Sequence, residues 1–311
     1  MDRSLASFDL MDVPTPILLE VKNLSVERSA GLGERGIGLR RVSLSLESGE
    51  IIVLAGETGS GKSLLARLLL GAAGPQAKVL GGSIFFEGRD LLKIKPREFR
   101  EVRRSGISMI TGDGVGQWNP DRTVRQWLRD CVRMARRSGV RGGEKEWSDL
   151  FYSVGIVEPE RILPMLMGDV SLLLSKRILL MRALLTRARL LVCDEATSDL
   201  DRIGEIQFLE LLTRVREEHG LGILMTCGSL RGIDRYADRA AIFYEGGILE
   251  AGTAVDLLRR PRYAYTQEFR GCDPGISDLP RELPTISREA AREAETAIHE
   301  ASSSLEDSVV A

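Results

Sequence analysis

The sequence predicts an α/β protein with a parallel sheet, an added antiparallel β layer and an inserted helical subdomain. Three observations lead to this fold class. A glycine-rich octapeptide separates an apolar strand from a helix, several short apolar runs suit buried parallel strands, and one long internal stretch has helical periodicity.

The octapeptide supplies the strongest functional signal. It consists of Gly56, Glu57, Thr58, Gly59, Ser60, Gly61, Lys62 and Ser63, and it follows the apolar run 51–55. Glycines let backbone N–H groups face phosphate oxygens, and the N-terminus of the following helix adds positive partial charge. Lys62 is expected to reach the β and γ phosphates, and Ser63 to coordinate Mg²⁺. The sequence therefore predicts a P-loop NTPase core that binds a nucleoside triphosphate.

The elements around this loop follow from hydrophobic periodicity. Alternating segments at 17–26 and 42–46, joined by a glycine-punctuated loop at 29–38, predict the antiparallel layer that leads into the loop strand. The other expected elements, in chain order, are a short strand within 81–88, a helix at 96–104, a strand at 107–110, a helical region at about 123–187, strands at 190–193 and 223–225 separated by a helix at 204–219, and a hairpin of 240–244 with 248–250. The Ala-, Glu- and Arg-rich segment from Ser287 predicts a loosely packed helix with a frayed end.

Length bounds the domain organisation. The 311 residues suggest one globular unit with tails. We expect an N-terminal extension at 1–16, a nucleotide-binding domain at 17–270 with the helical subdomain at about 120–185, and a C-terminal tail at 271–311. The first 16 residues lack the apolar core of a signal peptide, and no later apolar run approaches the roughly 20 residues that span a bilayer.

Charge and cysteine usage exclude other classes of protein. The 43 basic and 45 acidic residues nearly cancel, which argues against a nucleic acid partner. The four cysteines, which are Cys131, Cys193, Cys227 and Cys272, show no metal-ligand spacing. Reduced thiols are therefore expected, without disulfides, zinc or an iron–sulfur cluster.

The second half of the nucleotide site is predicted at Asp194 and Glu195. Both follow the apolar strand 190–193 directly. A carboxylate at a strand end can reach the Mg²⁺ beside Lys62 and Ser63, so Asp194 is expected to bind the ion directly or through its second sphere. Glu195, one residue further on, is the candidate general base that polarises an attacking water. An isolated Asp-Glu pair is usually a solvated strand end, and the phosphate loop upstream is what favours the functional interpretation.

These motifs and their order resemble the ATP-binding subunits of ABC transporters, particularly those of the dipeptide and oligopeptide importers. The resemblance covers about 18–267 and includes the opening strand 18–26, the second carboxylate motif 190–195 and a dimer-contacting loop, Ser198-Asp199-Leu200-Asp201. The segment 261–267 is similar to a Pro-x-His-Pro-Tyr-Thr segment of the peptide branch. The resemblance implies an ABC ATPase fold, ATP and Mg²⁺ as ligands, transmembrane permease subunits as partners, and a peripheral position on the cytoplasmic face of the cell membrane.

Four positions depart from the family pattern. Gly112 stands where the family has a glutamine that senses Mg²⁺ and water, with Gln117 the nearest alternative. The signature Leu-Ser-Gly-Gly is replaced by Val-Ser-Leu-Leu at 170–173, so leucines are expected to block close approach to a partner's ATP or to push the helix away. Gly228, or Cys227 after an alignment shift, replaces the histidine that contacts the γ phosphate, and Arg28 lies near the lost adenine-stacking aromatic.

Two functions remain open from these residues. The first is the degenerate member of a heterodimeric ATPase pair in a peptide importer, with weak or absent turnover of its own. The alternative is a regulatory pseudo-ATPase that uses ATP as a conformational ligand without transport. A DNA-repair or translation ABC protein is disfavoured, because the chain has one phosphate loop, no coiled-coil insert and no net basic charge.

A basic helix face is a further candidate feature. Its arginines are Arg122, Arg125, Arg129, Arg133, Arg136 and Arg137. The usual explanation of such a face is solvation, and contact with anionic lipid or an acidic partner loop is the alternative hypothesis.

Overall fold

The structure is a computed structural model that describes residues 16–29, 35–112, 118–136, 147–272 and 285–303. The strands are β1 (Ile17–Ser29), β2 (Arg35–Glu47), β3 (Ile51–Ala55), β4 (Ala77–Phe86), β5 (Arg89–Asp90), β6 (Ile107–Thr111), β7 (Leu190–Asp194), β8 (Gly222–Cys227), β9 (Arg239–Tyr244) and β10 (Gly247–Thr253). The helices are α1 (Lys62–Leu69), α2 (Pro96–Ser105), α3 (Val124–Arg136), α4 (Trp147–Ser153), α5 (Pro159–Ile162), α6 (Leu172–Leu185), α7 (Arg202–His219), α8 (Ala254–Arg259), α9 (Ala264–Gly271) and α10 (Arg288–Ser303).

The central sheet has the order β10-β9-β3-β8-β7-β6. Strands β9, β3, β8, β7 and β6 pair in parallel, and β10 adds an antiparallel edge through its hairpin with β9. Because the carboxyl ends of parallel strands share one edge, the loop after β3 and the carboxylates after β7 meet there. The predicted α/β fold class is confirmed.

The second sheet is the predicted antiparallel layer, in the order β2-β1-β4-β5. Its strands are longer than expected, since β1 reaches Ser29 and β2 begins at Arg35. The prediction of a loop over 29–38 is therefore wrong at both ends, because the register pairs Ser29 with Arg35 and Arg28 with Gly36 across the layer.

The central sheet is covered on both faces, and successive side chains of its strands pack alternately on one face and the other. In β3, Ile51 and Val53 pack into the core on the helical side, whereas Ile52 and Leu54 pack towards the antiparallel sheet. A strand that is apolar at every position suits such a place, because successive side chains point to opposite faces.

Helices α3 to α6 form the insert between β6 and β7. Helix α6 packs against α3, α4, α7 and β6 and carries buried side chains along most of its length. Among the described residues, no helix has both the length and the apolar character needed to cross a bilayer.

The C-terminal segment corrects one expectation. Helix α10 is present, but it is not loosely packed, since Ala290, Ala294 and Ile298 are almost completely buried. The spacing of four residues brings these side chains to one face, which packs on α9, β9 and β10. The predicted extension 1–16, apart from Pro16, and the residues after Ser303 lie outside the described part of the chain.

Candidate functional site

The phosphate loop connects the end of β3 to the N-terminus of α1. Its backbone needs glycine at two places. Gly56 has φ 152°, and a Cβ there would lie 2.3 Å from the carbonyl oxygen of Phe243. Gly61, with φ 106°, lies between Leu39 and the turn at Gly246. A Cβ at Gly56 would overlap the Phe243 carbonyl, and L side chains rarely adopt the φ of Gly61, so the loop conformation depends on its glycines.

Lys62 folds back into this loop. Its Nζ donates to the carbonyl oxygens of Gly56 at 2.7 Å and Glu57 at 2.8 Å, and to Ser60 Oγ at 3.2 Å. Burial lowers the Lys62 pKa, and the negative charges of Glu195 and Asp194 oppose that shift. The ammonium is thus held where phosphate oxygens could replace the loop acceptors.

Glu57 is anchored from the C-terminal part of the chain. Its Oε1 accepts a hydrogen bond of 3.0 Å from the hydroxyl of Tyr265, a fully buried residue of α9. Burial and the charge of Glu57 raise the Tyr265 pKa, so the phenol remains a donor. Thr58 and Gly59 are exposed at the tip of the loop, and Ser63 is half-buried in the first turn of α1.

Asp194 ends β7 and is only 5% exposed. Its Oδ1 accepts from Thr226 Oγ1 at 2.8 Å, and its Oδ2 lies 3.7 Å from Arg67 Nε. A hydroxyl and a carboxylate are suitable hard ligands for Mg²⁺, so Ser63 and Asp194 fit the ion.

Glu195 adopts a left-handed backbone with φ 51°. Its N–H donates to Thr226 Oγ1 at 3.0 Å, and its carbonyl accepts from Ser198 Oγ at 2.8 Å. A non-glycine residue in this region costs about 1–3 kcal/mol, and such strain is common at functional positions. The negative charge of its carboxylate opposes the lowering of the Lys62 pKa.

Gly112 has no side chain, and neighbouring residues also fill the space around it. A Cβ there would lie 2.6 Å from Ser198 Oγ and 2.8 Å from the carbonyl oxygen of Glu195. The space for a glutamine is therefore occupied by the loop after β7. Gln117, the alternative donor, lies outside the described residues.

A buried lysine joins three segments beneath Gly112. Lys176 of α6 is fully buried, and its Nζ donates to the carbonyl oxygens of Thr111, at 2.7 Å, and Gly112. It also forms an ion pair of 3.1 Å with Asp199 Oδ2, whose other oxygen, Oδ1, is buried without a hydrogen-bond partner in the structure. The N-terminal half of α6 is thereby tied to the end of β6 and to the loop that follows Glu195.

Gly228 differs from Gly112 in its surroundings. A Cβ at Gly228 would meet nothing within 4 Å, so this position has room for a side chain. The neighbouring Cys227 donates its thiol to the carbonyl oxygen of Ser229 at 2.9 Å, and burial raises its pKa to about 11. Neither of these residues supplies an imidazole.

The altered signature still starts a helix. Ser171 caps α6 by accepting from the N–H of Leu174, and Leu172 is 41% exposed, whereas Leu173 and Leu174 are half-buried. The helix packs normally in the chain itself, so any obstruction by these leucines concerns a partner's site.

Two further predicted features lie at the surface. Arg28 is exposed near the end of β1, in the sheet whose strand β2 contacts the phosphate loop. On α3, Asp130 pairs with Arg122 and, at 2.6 Å, with Arg133. Arg137 lies outside the described residues. Part of the basic face is therefore neutralised locally.

Sequence reasoning missed three contributors to this site, namely Lys176, Thr226 and Tyr265. A single lysine within the apolar run of α6 was the available signal for Lys176, because lysine is rarely fully buried without a partner. The partners of Thr226 and Tyr265 are 32 and 208 residues away in sequence, so no local pattern indicated them.

The chain is similar to a known protein family and to characterised transport proteins. A family described as "ABC transporter" matches residues 39–198. The chain is 32% identical to a peptidoglycan transport ATP-binding protein, YejF, of Agrobacterium fabrum, over 85% of this chain and 48% of that protein, so it spans about half of that relative's length. It is 30% identical to the dipeptide transport ATP-binding protein DppD of Bacillus subtilis, over 86% of this chain and 80% of the relative.

Solved structures show the same fold. An ATP-binding cassette, MJ0796, solved as a dimer in a post-hydrolysis state bound to ADP and Pi, has a TM-score of 0.65 at 20% identity, over 76% of this chain and 98% of that chain. The protein cbiO1 from Clostridium perfringens, part of the ABC transporter complex cbiONQ, has a TM-score of 0.63 at 20% identity, over 78% and 91%.

Proposed function

The chain belongs to the ABC transporter family of ATP-binding proteins, in its dipeptide and oligopeptide importer branch, and from that premise we propose that it is the ATP-binding subunit of a peptide importer. ATP binding would be its principal activity, with slow turnover. The observation that carries this proposal is the complete phosphate loop with Lys62 held inside it.

The residues have distinct roles in this proposal. The loop 56–63 binds the phosphates through backbone N–H groups, and Lys62 exchanges its loop acceptors for β and γ phosphate oxygens. Ser63 and Asp194 would hold Mg²⁺, which would neutralise phosphate charge when bound. Glu195 accepts the proton of a water whose oxygen attacks the γ phosphorus, while the bond between that phosphorus and the β–γ bridging oxygen breaks.

Slow turnover follows from the positions that would orient this water or close the site. Gly112 has no side chain and no room for one, and neither Gly228 nor Cys227 supplies an imidazole. Each lost positioning contact lowers turnover by roughly 10²-fold or more. Leucines at 172 and 173 would similarly weaken the contribution of this chain to a partner's ATP site.

The partners follow from the same premise. Relatives named as dipeptide transport ATP-binding proteins support a pair of transmembrane permease subunits, to which this chain would attach peripherally on the cytoplasmic side. A second, better equipped ATPase would complete a heterodimer. Both composite sites of that dimer would still be affected, because this chain lacks water-positioning groups for its own site and signature glycines for its partner's.

The test measures ATP binding and phosphate release by the purified chain with Mg²⁺. Wild type is compared with Lys62→Ala, Glu195→Gln and the matched control Lys93→Ala, which removes an exposed ammonium. Binding should be lost in Lys62→Ala and retained in the other two variants. Equal binding by Lys62→Ala and wild type would refute the assignment of the loop.

Turnover then separates the two functions. Phosphate release that disappears in Glu195→Gln supports the transport engine with Glu195 as base. The absence of release in every setting, with binding intact, favours the regulatory pseudo-ATPase that uses ATP as a conformational ligand. Co-purification with membrane subunits favours transport, and a stable complex formed without them favours regulation.

A further inference from the structure

A cavity that lies away from the phosphate loop is lined by four arginines. Its volume is about 360 Å³, and its lining includes Arg100, Arg103 and Arg104 of α2 together with Arg182 of α6. None of the described residues that line it is acidic. Four like charges around one cavity produce a positive potential that attracts anions.

The cavity is at the other end of α1 from the nucleotide site. Leu70, directly after α1, and Ile107 and Ser108, at the start of β6, contribute to its wall. The phosphate loop instead precedes α1 and follows β3. The eight residues of α1 separate the two sites by about 12 Å along the helix axis. An ATP molecule bound in the loop therefore leaves the cavity accessible.

Arg182 is the least solvated of the four arginines. Its Nη2 donates to Ser108 Oγ at 3.1 Å, and Ser108 is itself only 2% exposed. Burial lowers the Arg182 pKa, and the positive charge of Arg103 contributes in the same direction. Among the described residues, no carboxylate pairs with Arg182, and its side-chain hydrogen bond goes to a neutral hydroxyl.

The ends of helices explain how the arginines converge without a ligand. Arg103 and Arg104 occupy the last turn of α2, and Arg182 occupies the last turn of α6. The partial negative charge at a helix C-terminus stabilises a nearby cation. A charge-assisted hydrogen bond to an anion contributes more than this, so the cluster still favours a negatively charged ligand.

Besides the arginines, Ser108 and Thr186, the wall of the cavity has an apolar part. Leu70, Ile107 and Met134 contribute to it, and Met134 is 44% exposed. Guanidinium groups match phosphate oxygens through two parallel hydrogen bonds, and cavities of about 300–1,000 Å³ accommodate small organic ligands. We propose that this cavity binds an organic phosphate, with its phosphate groups between α2 and Arg182 and its organic part against the apolar wall.

The shared chemistry could come from a free phosphorylated molecule or from a lipid headgroup, and the experiment separates these sources. The full chain is titrated with fructose 1,6-bisphosphate in the absence of nucleotide, so that no other organic phosphate competes for the cavity. In parallel it is sedimented with phosphatidylcholine vesicles that contain phosphatidic acid. Binding of the bisphosphate indicates the free source, and binding of the vesicles alone indicates the lipid source.

Matched variants test the location. Arg103→Gln/Arg104→Gln removes two charges from the cavity, whereas Lys93→Gln/Arg97→Gln removes two from exposed side chains that lie outside it. The first pair should weaken binding of the recognised probe by about 10-fold or more, since a charged hydrogen bond is worth at least that factor. The second pair should change it by less than about 2-fold.

Arg182→Lys keeps the charge but removes the planar fork, and it should also weaken binding. Lys62→Ala should leave probe binding intact, so failure of this inference is distinguishable from failure of the ATP site. The proposal is overturned if wild type binds neither probe, or if both double variants weaken binding equally. Melting temperatures of the variants identify any loss that comes from unfolding.

Discussion

Replacement of Lys176 by Met tests the buried link beneath Gly112. The side chain of methionine fills similar space, but it donates no hydrogen bond. The change removes the donor from two carbonyl oxygens and from Asp199, whose Oδ1 already lacks a partner. Asp199 would then be left as an unpaired carboxylate with only 21% of its side chain exposed.

The magnitude follows from that count of partners. Removing one member of a buried ion pair costs about 3–5 kcal/mol, and the partial exposure of Asp199 favours the lower end. A loss of about 3 kcal/mol corresponds to a fall in melting temperature of roughly 6–12 °C in a domain of this size. The equilibrium measurement is the free energy of unfolding in urea, with the melting temperature as a second readout.

The control is Arg202→Met, which breaks an exposed pair with Glu205 and should cost less than about 1 kcal/mol. The double variant Lys176→Met/Asp199→Leu should recover part of the loss, because both charges leave together. The reasoning about a buried ion pair is refuted if Lys176→Met lowers the free energy of unfolding no more than Arg202→Met does. It is also refuted if the effect of the double variant equals the sum of the effects of Lys176→Met and Asp199→Leu measured separately.

Two further predictions concern the positions near the nucleotide. Gly228→His should leave the free energy of unfolding within about 0.5 kcal/mol of wild type, because the position is open. Gly112→Gln should lower it by about 1–3 kcal/mol or more, because the new side chain is overpacked against Ser198. Equal effects of the two variants in urea unfolding would contradict this contrast. The raised pKa of Cys227 stabilises the folded state below the ordinary thiol pKa of 9.0, and this contribution should be lost as the pH rises towards about 11. Between pH 8 and 11, the free energy of unfolding should therefore fall less steeply with pH in Cys227→Ala than in wild type. Identical slopes in the two proteins would exclude the thiol as a cause.

Local patterns were sufficient for much of the fold. The phosphate loop, the apolar strands of the central sheet and the hairpin of β9 with β10 each depend on residues close in sequence. The ends of β1 and β2 were not predictable in this way, because pairing across the layer extends them into a glycine-rich segment. Tertiary contacts overrode the local signal there.

The candidate site shows the same division. The sequence predicted Lys62, Asp194 and Glu195 from their order around apolar strands, but it gave no indication that Gly112 is enclosed by Ser198. That enclosure depends on the distance between two loops that are far apart in the chain. The packing of α10 was predicted wrongly as loose, because the Ala-, Glu- and Arg-rich composition outweighed the four-residue spacing of Ala290, Ala294 and Ile298 that indicates a buried face.

The packing of α10 has a consequence for experiments on this protein. Ile298 occupies the space directly above Gly247, where a Cβ would lie 2.7 Å from Ile298 Cδ1, and the adjacent Gly246 donates its N–H to the carbonyl of Ser60 at 2.9 Å. Two neighbouring residues thus separate the last described helix from the phosphate loop. A C-terminal truncation that removes α10 would strip the outer support from the turn that holds Ser60, and nucleotide affinities measured on shortened chains would carry that change.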